Sequence, residues 1–198
     1  KGLFKKSVAS MIASYVLYFG KGLSFAQKLR KEKKLNRQNF DQFSKYLKEP
    51  RNSNCLIVGY GDIGNEFGKI CDFLKMKKYI INSKNKHDLL NIIDNKRPDF
   101  IINLLPLTDY TKNLFNKTIF NAMKSDSYFI NVGRGKTVVE HDLVEALKEN
   151  KILGAALDVF EVEPLPSYSP LWGLDNCLIT PHIANLGDDH WNYQVNSF

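Results

Sequence analysis

The sequence predicts a doubly wound parallel α/β sheet, and three observations predict it. From residue 54 onward, six short apolar runs alternate with helical patterns. Most of these runs are continuously apolar and not alternating, as expected of strands buried on both faces of a parallel sheet. The first run, NCLIVGY, passes directly into Gly-Asp-Ile-Gly and then into a helical pattern, so a glycine-rich turn joins the first strand to the first helix of the sheet.

Taken in order, the chain begins with KGLFKKS followed by VASMIASYVLYFG, which imitates the charged start and apolar core of a signal peptide. The apolar run is too short to span a bilayer, and no small-residue cleavage site follows it. It reads as one helix over 8–32 with a very apolar face that packs on a partner element or a second subunit. The basic run KLRKEKKLNR at 28–37 has no interleaved aromatics, so it reads as a solvated helix end rather than a nucleic-acid surface. Neither a nucleic-acid nor a membrane partner is expected.

Strands are expected at 54–60, 77–82, 99–105, 127–133, 155–160 and 176–181, with helices at 62–75, 86–96, 116–123 and 140–149. The last two strands are joined by the proline-rich EVEPLPSYSPLWGLD, which has no helical period. This segment is an ordered loop at the carboxyl edge, where such sheets bind ligands.

Composition sets the remaining bounds. The 198 residues suit one generous domain or two small ones. The net charge of +7 comes almost wholly from lysine, with five arginines, one of them Arg134 between two glycines. Three widely spaced cysteines read as reduced core residues of an intracellular, cytoplasmic protein. Four isolated histidines offer no metal-ligand spacing. Because the first residue is Lys and not Met, the chain is expected to be a piece of a longer protein.

Gly59, Gly61 and Gly64 stand in the spacing G-x-G-x-x-G. After a strand and before a helix, that spacing allows a tight turn, close approach of backbone to a pyrophosphate, and a helix N-terminus facing the anion. Such a fingerprint expects a carboxylate some 20 residues on to accept the ribose hydroxyls. Here the second strand ends in Asn82, Ser83 and Lys84, followed by Asn85 and Lys86. A hydroxyl, an amide and two ammonium groups suit a 2′-phosphate that a carboxylate would repel, so NADP(H) is favoured over NAD(H).

The motifs VGYGDIG, LLPLTDYTKNLFN, FINVGRGKTVVEHDLVEALKENKILGAALDVFEVEPLP, SPLW and ITPHIA occur in order from residue 56 to 184. In this series the chain resembles the nucleotide-binding (Rossmann) domain of the D-isomer-specific 2-hydroxyacid dehydrogenases, the family of glyoxylate/hydroxypyruvate reductases and phosphoglycerate dehydrogenase. The resemblance implies that Arg134 holds the substrate carboxylate and that His182 is the acid/base. It implies that Glu163 is the histidine's acidic partner, its charge favouring the imidazolium and its hydrogen bond directing the ring. Glu161, two residues away, lacks the following proline and is the weaker choice. Asp158 matches the ligand of the nicotinamide carboxamide, and Asp62 and Ile63 would offer amides to the pyrophosphate. Leu105 and Pro106 would wall the adenine side, and Val132 and Gly133 would approach the nicotinamide ribose. The glycines around Arg134 are expected to leave room for substrate and nicotinamide.

The same resemblance implies a two-domain enzyme. The chain would carry the nucleotide domain, with 1–35 an interdomain and dimer helix, 54–184 the Rossmann core, and 185–198 the start of a helix returning to a substrate domain that lies outside it. The expected substrate is a small 2-keto or 2-hydroxy acid, and the expected assembly is a homodimer. Ser10, where many members have glutamate, the stretch NRQNF and a short second-to-third-strand connection depart from the family pattern. An NAD-dependent phosphoglycerate or D-lactate dehydrogenase, or a dinucleotide-sensing scaffold like the corepressors of this fold, are the alternatives.

Overall fold

The computed structural model describes residues 4–187. Its elements run α1 (Lys5–Gly20), α2 (Leu23–Lys31), α3 (Arg37–Asp41), β1 (Asn54–Val58), α4 (Asp62–Phe73), β2 (Lys77–Ile81), α5 (Leu89–Lys96), β3 (Phe100–Asn103), α6 (Lys117–Ala122), β4 (Tyr128–Asn131), α7 (Glu140–Lys148), β5 (Gly154–Leu157) and β6 (Cys177–Ile179). The six strands form one sheet in the order β2-β1-β3-β4-β5-β6, and every pairing is parallel. Each expected strand is present, trimmed by one to three residues where the chain turns off the carboxyl edge.

Two-sided burial explains the continuous apolar runs. Cys55 and Ile57 of β1, with Phe100 and Ile102 of β3, face one core that includes α1 and Phe67 and Cys71 of α4. Leu56, Val58, Ile101 and Phe129 face the other, built with α5, α6 and α7. Alternate residues of one strand thus serve opposite layers, so neither register tolerates a polar side chain in mid-strand.

The helix expected over 8–32 is instead two helices. They meet at a bend of 62°, where Gly22 takes a left-handed φ of +68°. A Cβ at Gly22 would come within 2.8 Å of Leu47 and 3.0 Å of Phe40, so both the conformation and the space require glycine. The apolar face of α1 packs on partner elements of its own chain, the first of the two alternatives the sequence offered. Val8, Ala9, Ile12, Tyr15, Val16 and Phe19 are buried against this chain's own sheet and α4. At about 1.5–3 kcal/mol for each large side chain buried, that face is part of the core. No single helix among the described residues is long and apolar enough to cross a membrane. The return helix expected within 185–198 lies, beyond Gly187, outside the described residues.

At the carboxyl edge the chain leaves β1 outward to β2 and then crosses back to β3 on the other side. Diverging loops at such a switch point open a crevice. Gly59 and Leu104, the residues that follow β1 and β3, stand at its two sides.

Candidate active site

Three glycines at the end of β1 have three different reasons to be glycine. Gly59 has φ +101°, and a Cβ there would lie 2.9 Å from the backbone of Leu104. Gly64 brings α4 against the turn, since its Cβ would meet the Gly59 carbonyl at 2.5 Å. Around Gly61 nothing lies within 4 Å of where a Cβ would be. Protein packing thus accounts for the outer two and not for the middle one, which keeps a space open at the N-terminus of α4. The amides of Asp62 and Ile63, in the first turn of that helix, have no intrahelical acceptor and favour an anion.

A cleft of about 600 Å³ runs from this turn across the switch point. Gly59, Gly61, Asn82, Ser83, Leu105 and Pro106, all named from the sequence as cofactor-binding candidates, line it. So do His87, Thr108, Tyr110 and Thr111, to which sequence reasoning gave no role although the last three lie within the motif LLPLTDYTKNLFN. Lys84 is exposed on the same turn but does not line the cleft. The turn is preset: the Asn82 side chain accepts from the Lys84 amide at 2.9 Å, the Asn85 side chain accepts from the Asn82 amide at 2.8 Å, and it donates to Ile80 O at 2.9 Å. These bonds present Ser83 and Lys84 outward without further ordering.

Arg134 follows β4, exposed, with Nη1 donating to the Gly133 carbonyl at 2.7 Å. The flanking glycines do not leave room for ligand, as expected, but for neighbouring main chain. A Cβ on Gly133 would meet the Leu105 carbonyl at 2.8 Å, and one on Gly135 would fall 1.7 Å from the Phe160 carbonyl. Loops from β3 and β5 close on either side, so the arginine is the one side chain this crowded segment projects.

Two buried amides beneath it, absent from the expected site, set the loops. Asn103 Nδ2 donates to Asn131 Oδ1 at 2.9 Å and to Thr137 Oγ1 at 2.7 Å. Asn103 Oδ1 accepts from the Leu105 amide and Asn131 Oδ1 from the Gly133 amide, each at 3.1 Å. Thr137 donates to Arg134 O at 2.6 Å. Their signal in the sequence is the pair of strand endings Ile-Ile-Asn and Phe-Ile-Asn, two apolar runs that stop at the same polar residue.

His182 follows β6 in a left-handed conformation, φ +57°. Its Nδ1 lies 2.8 Å from Glu163 Oε2, and Glu163 Oε1 accepts from the Phe160 amide at 3.0 Å. The geometry brings Glu163 and not Glu161 to the histidine. Burial pushes the Glu163 carboxyl up, but the bonds from His182 and Phe160 and the charges of His182 and Arg134 outweigh it and hold the carboxyl below its ordinary value. A carboxylate on Nδ1 makes that nitrogen the donor and leaves Nε2 to exchange a proton. Beside the pair opens a hollow of about 580 Å³ walled by Phe160, Leu165, Trp172 and Pro181.

Asp158 holds the turn that carries His182. It is 1% exposed. Its Oδ1 accepts from Thr180 Oγ1 at 2.6 Å and from the Ile183 amide at 2.9 Å, and its Oδ2 accepts from the Ala184 amide at 2.8 Å. Since Thr180 donates its only proton to Asp158, Tyr15 must donate to Thr180, at 2.6 Å. Burial pushes the Tyr15 phenol up to about 12, which keeps it a neutral donor. Helix α1 is thereby tied to the histidine turn. Val132 and Gly133 lie at the end of β4, buried under Leu105 and apart from the residues lining the 600 Å³ cleft.

Comparison with known proteins places this edge in context. The family model for the D-isomer specific 2-hydroxyacid dehydrogenase NAD binding domain matches residues 14–184. A glyoxylate/hydroxypyruvate reductase A of Photorhabdus laumondii is 46% identical over 86 residues, covering 43% of this chain and 28% of that protein. A glyoxylate/hydroxypyruvate reductase B of Escherichia fergusonii is 38% identical over 139 residues, covering 65% and 43%. A crystal structure of a D-isomer specific 2-hydroxyacid dehydrogenase from Xanthobacter autotrophicus Py2, in complex with NADPH and MES, superposes with a TM-score of 0.80 at 26% identity, covering 93% of this chain and 59% of that one. The chain spans less than half the length of the two curated relatives. With strand order, glycine turn and matched residues in agreement, the chain belongs to the D-isomer specific 2-hydroxyacid dehydrogenase family and comprises its nucleotide-binding domain.

Proposed function

We propose that this chain is the nucleotide-binding part of an NADPH-preferring reductase of small 2-keto acids such as glyoxylate or hydroxypyruvate. The observation that carries the reading is convergence: the open space at Gly61, the projecting Arg134 and the Glu163–His182 pair all lie on one carboxyl edge. A nicotinamide cofactor, when bound along this edge, supplies the hydride. The space at Gly61 and the free amides of Asp62 and Ile63 fit its pyrophosphate. Ser83 and Lys84, with no carboxylate on their turn, fit a 2′-phosphate. Leu105 and Pro106 wall the adenine side, and Val132 and Gly133 carry the backbone past the nicotinamide ribose. Asp158 accepts from the carboxamide through the acceptor position that Ala184 leaves on Oδ2.

Arg134 holds the substrate carboxylate with two parallel hydrogen bonds and leans toward the adjacent carbonyl. His182 Nε2 gives its proton to the forming alkoxide, and Glu163 holds the ring through Nδ1 as the imidazole changes charge. In the oxidation direction the neutral imidazole takes the proton back.

The test is oxidation of NADPH and of NADH by the intact gene product, in parallel, against glyoxylate, hydroxypyruvate, pyruvate and phosphohydroxypyruvate. Turnover with NADPH and one or two of these acids supports the reading. Binding of either cofactor without turnover of any acid moves the assignment to a dinucleotide-sensing scaffold.

A further inference from the structure

His182 stands in a backbone conformation, φ +57°, that disfavours any residue with a Cβ. Such strain persists only where surrounding contacts fix it, and here they come from two sources. The first is Asp158, which binds residues on both sides of the histidine: it accepts from Thr180 before it and from the Ile183 and Ala184 amides after it. The second is α1. Tyr15 reaches Thr180 at 2.6 Å, and Ser7, about two turns earlier on the same helix, donates to the Ala184 carbonyl at 3.1 Å and shares that proton with Leu186 O. The Ala184 side chain is itself buried in the core that the apolar face of α1 helps to build.

These bonds are aligned. Tyr15 donates to Thr180 and Thr180 donates to Asp158, so the two hydroxyls run head to tail toward a buried carboxylate. In that order each bond polarises and strengthens the next. Tyr15 is 3% exposed and packs in the same core as Ile12, Val16 and Phe19, so its phenol is an anchor and not a surface contact. Neither Tyr15 nor Ser7 lines the cleft or the hollow at the carboxyl edge. Their route to the site is through the turn.

We propose that Tyr15 and Ser7 are positioning residues for His182: through Thr180 and the Ala184 carbonyl, α1 fixes the turn that keeps the imidazole on Glu163 and aims Nε2 at the reacting oxygen. The catalytic half of this inference rests on the reading of His182 as the acid/base. Misplacing a reacting group by about 1 Å costs up to about a hundredfold in rate, so loss of the Tyr15 hydroxyl acts on turnover and not on binding.

The experiment compares Tyr15→Phe, Ser7→Ala, Thr180→Val and Thr180→Ser in the intact gene product, with thermal melts to show that each is folded. With NADPH and glyoxylate or hydroxypyruvate, kcat should fall about tenfold in Tyr15→Phe and Thr180→Val and about threefold in Ser7→Ala, while KM and the NADPH Kd stay within about twofold. Thr180→Ser, which restores the hydroxyl, should recover most of the rate lost in Thr180→Val. A second readout needs no turnover: the ring 15N signals of His182 at about pH 9, far above the ordinary imidazole value near 6.5. Wild type should show the Nδ1–H tautomer that Glu163 selects, and Tyr15→Phe a mixture with the Nε2–H form. A folded Tyr15→Phe with wild-type ring signals, with wild-type kcat, or with a raised KM at constant kcat would overturn the proposal. If Tyr15→Phe does not fold, Thr180→Val against Thr180→Ser carries the same comparison. Should the wild type reduce no 2-keto acid while Tyr15→Phe still alters the ring, the positioning stands and the reductase reading falls; an active wild type whose ring and kcat ignore Tyr15→Phe removes the positioning and leaves that reading.

Discussion

Asn103 donates to Asn131 across 2.9 Å, and this one bond between the ends of β3 and β4 sets the loop that carries Arg134. The two side chains lie level in the sheet, paired in register. Replacing Asn131 with Ala leaves the Gly133 amide and one Asn103 proton buried without an acceptor. The expected cost is about 1–3 kcal/mol of stability. Denaturant unfolding measures it, and turnover should fall further than stability alone explains, because Arg134 loses its fixed base.

Gly61 and Gly135 should respond oppositely to the same methyl group. Gly135→Ala drives a Cβ into the Phe160 carbonyl and displaces the loop that ends at Glu163, so both melting temperature and turnover fall. At Gly61 there is open space, so Gly61→Ala should leave the melting temperature of the free protein within a degree or so, while cofactor affinity drops by about tenfold or more through the lost backbone approach. Thermal melts with and without cofactor separate the two. A stabilised cofactor complex of Gly61→Ala would show that the space serves no ligand.

Arg134→Ala should lower kcat/KM for the keto acid on the order of 10²–10³-fold, as loss of a charged, positioned donor does. Its side chain is exposed, so folding and cofactor affinity should remain near wild type. Steady-state kinetics alongside cofactor titration by fluorescence checks both halves of the expectation.

Lys84→Asp should weaken NADPH binding and spare NADH. It places a carboxylate on the turn that now carries none, reversing the charge offered to a 2′-phosphate. Equal losses for both cofactors would remove Lys84 from the assignment, and the position of Lys84 outside the cleft lining makes this a direct test.

Glu163 sets an acid limb in the stability curve. Its folded carboxyl is held below the ordinary value near 4.3. A group depressed in the folded state contributes fully above its unfolded value, and the contribution disappears as pH falls from there through the folded value. Urea unfolding from pH 6 downward should therefore show Glu163→Gln converging on wild type in acid and falling below it above about pH 4.3. A constant difference at all pH values would mean that Glu163 acts by packing alone.

Most of the sheet was legible in the sequence, because two-sided burial writes itself locally as an unbroken apolar run such as Cys-Leu-Ile-Val or Phe-Ile-Ile. The glycine turn was legible for the same reason: strand, turn and helix are consecutive. The break between α1 and α2 was missed although Gly20 and Gly22 mark it. Apolar periodicity persists through Phe25 and Leu29, and the atoms that forbid a side chain at Gly22 come from Phe40 and Leu47, far along the chain.

By itself, then, the sequence determined the layers, the order of the strands' appearance and which side chains are candidates for the site. The tertiary structure alone decided what those side chains rest on. The glycines about Arg134 yield to the backbones of Leu105 and Phe160, Asp158 binds the turn of His182, and Tyr15 of α1 reaches that turn through Thr180. Such contacts join residues up to 165 positions apart. Local propensity is blind to them, since their energy exists only once the parallel crossovers have brought the strand ends to one edge.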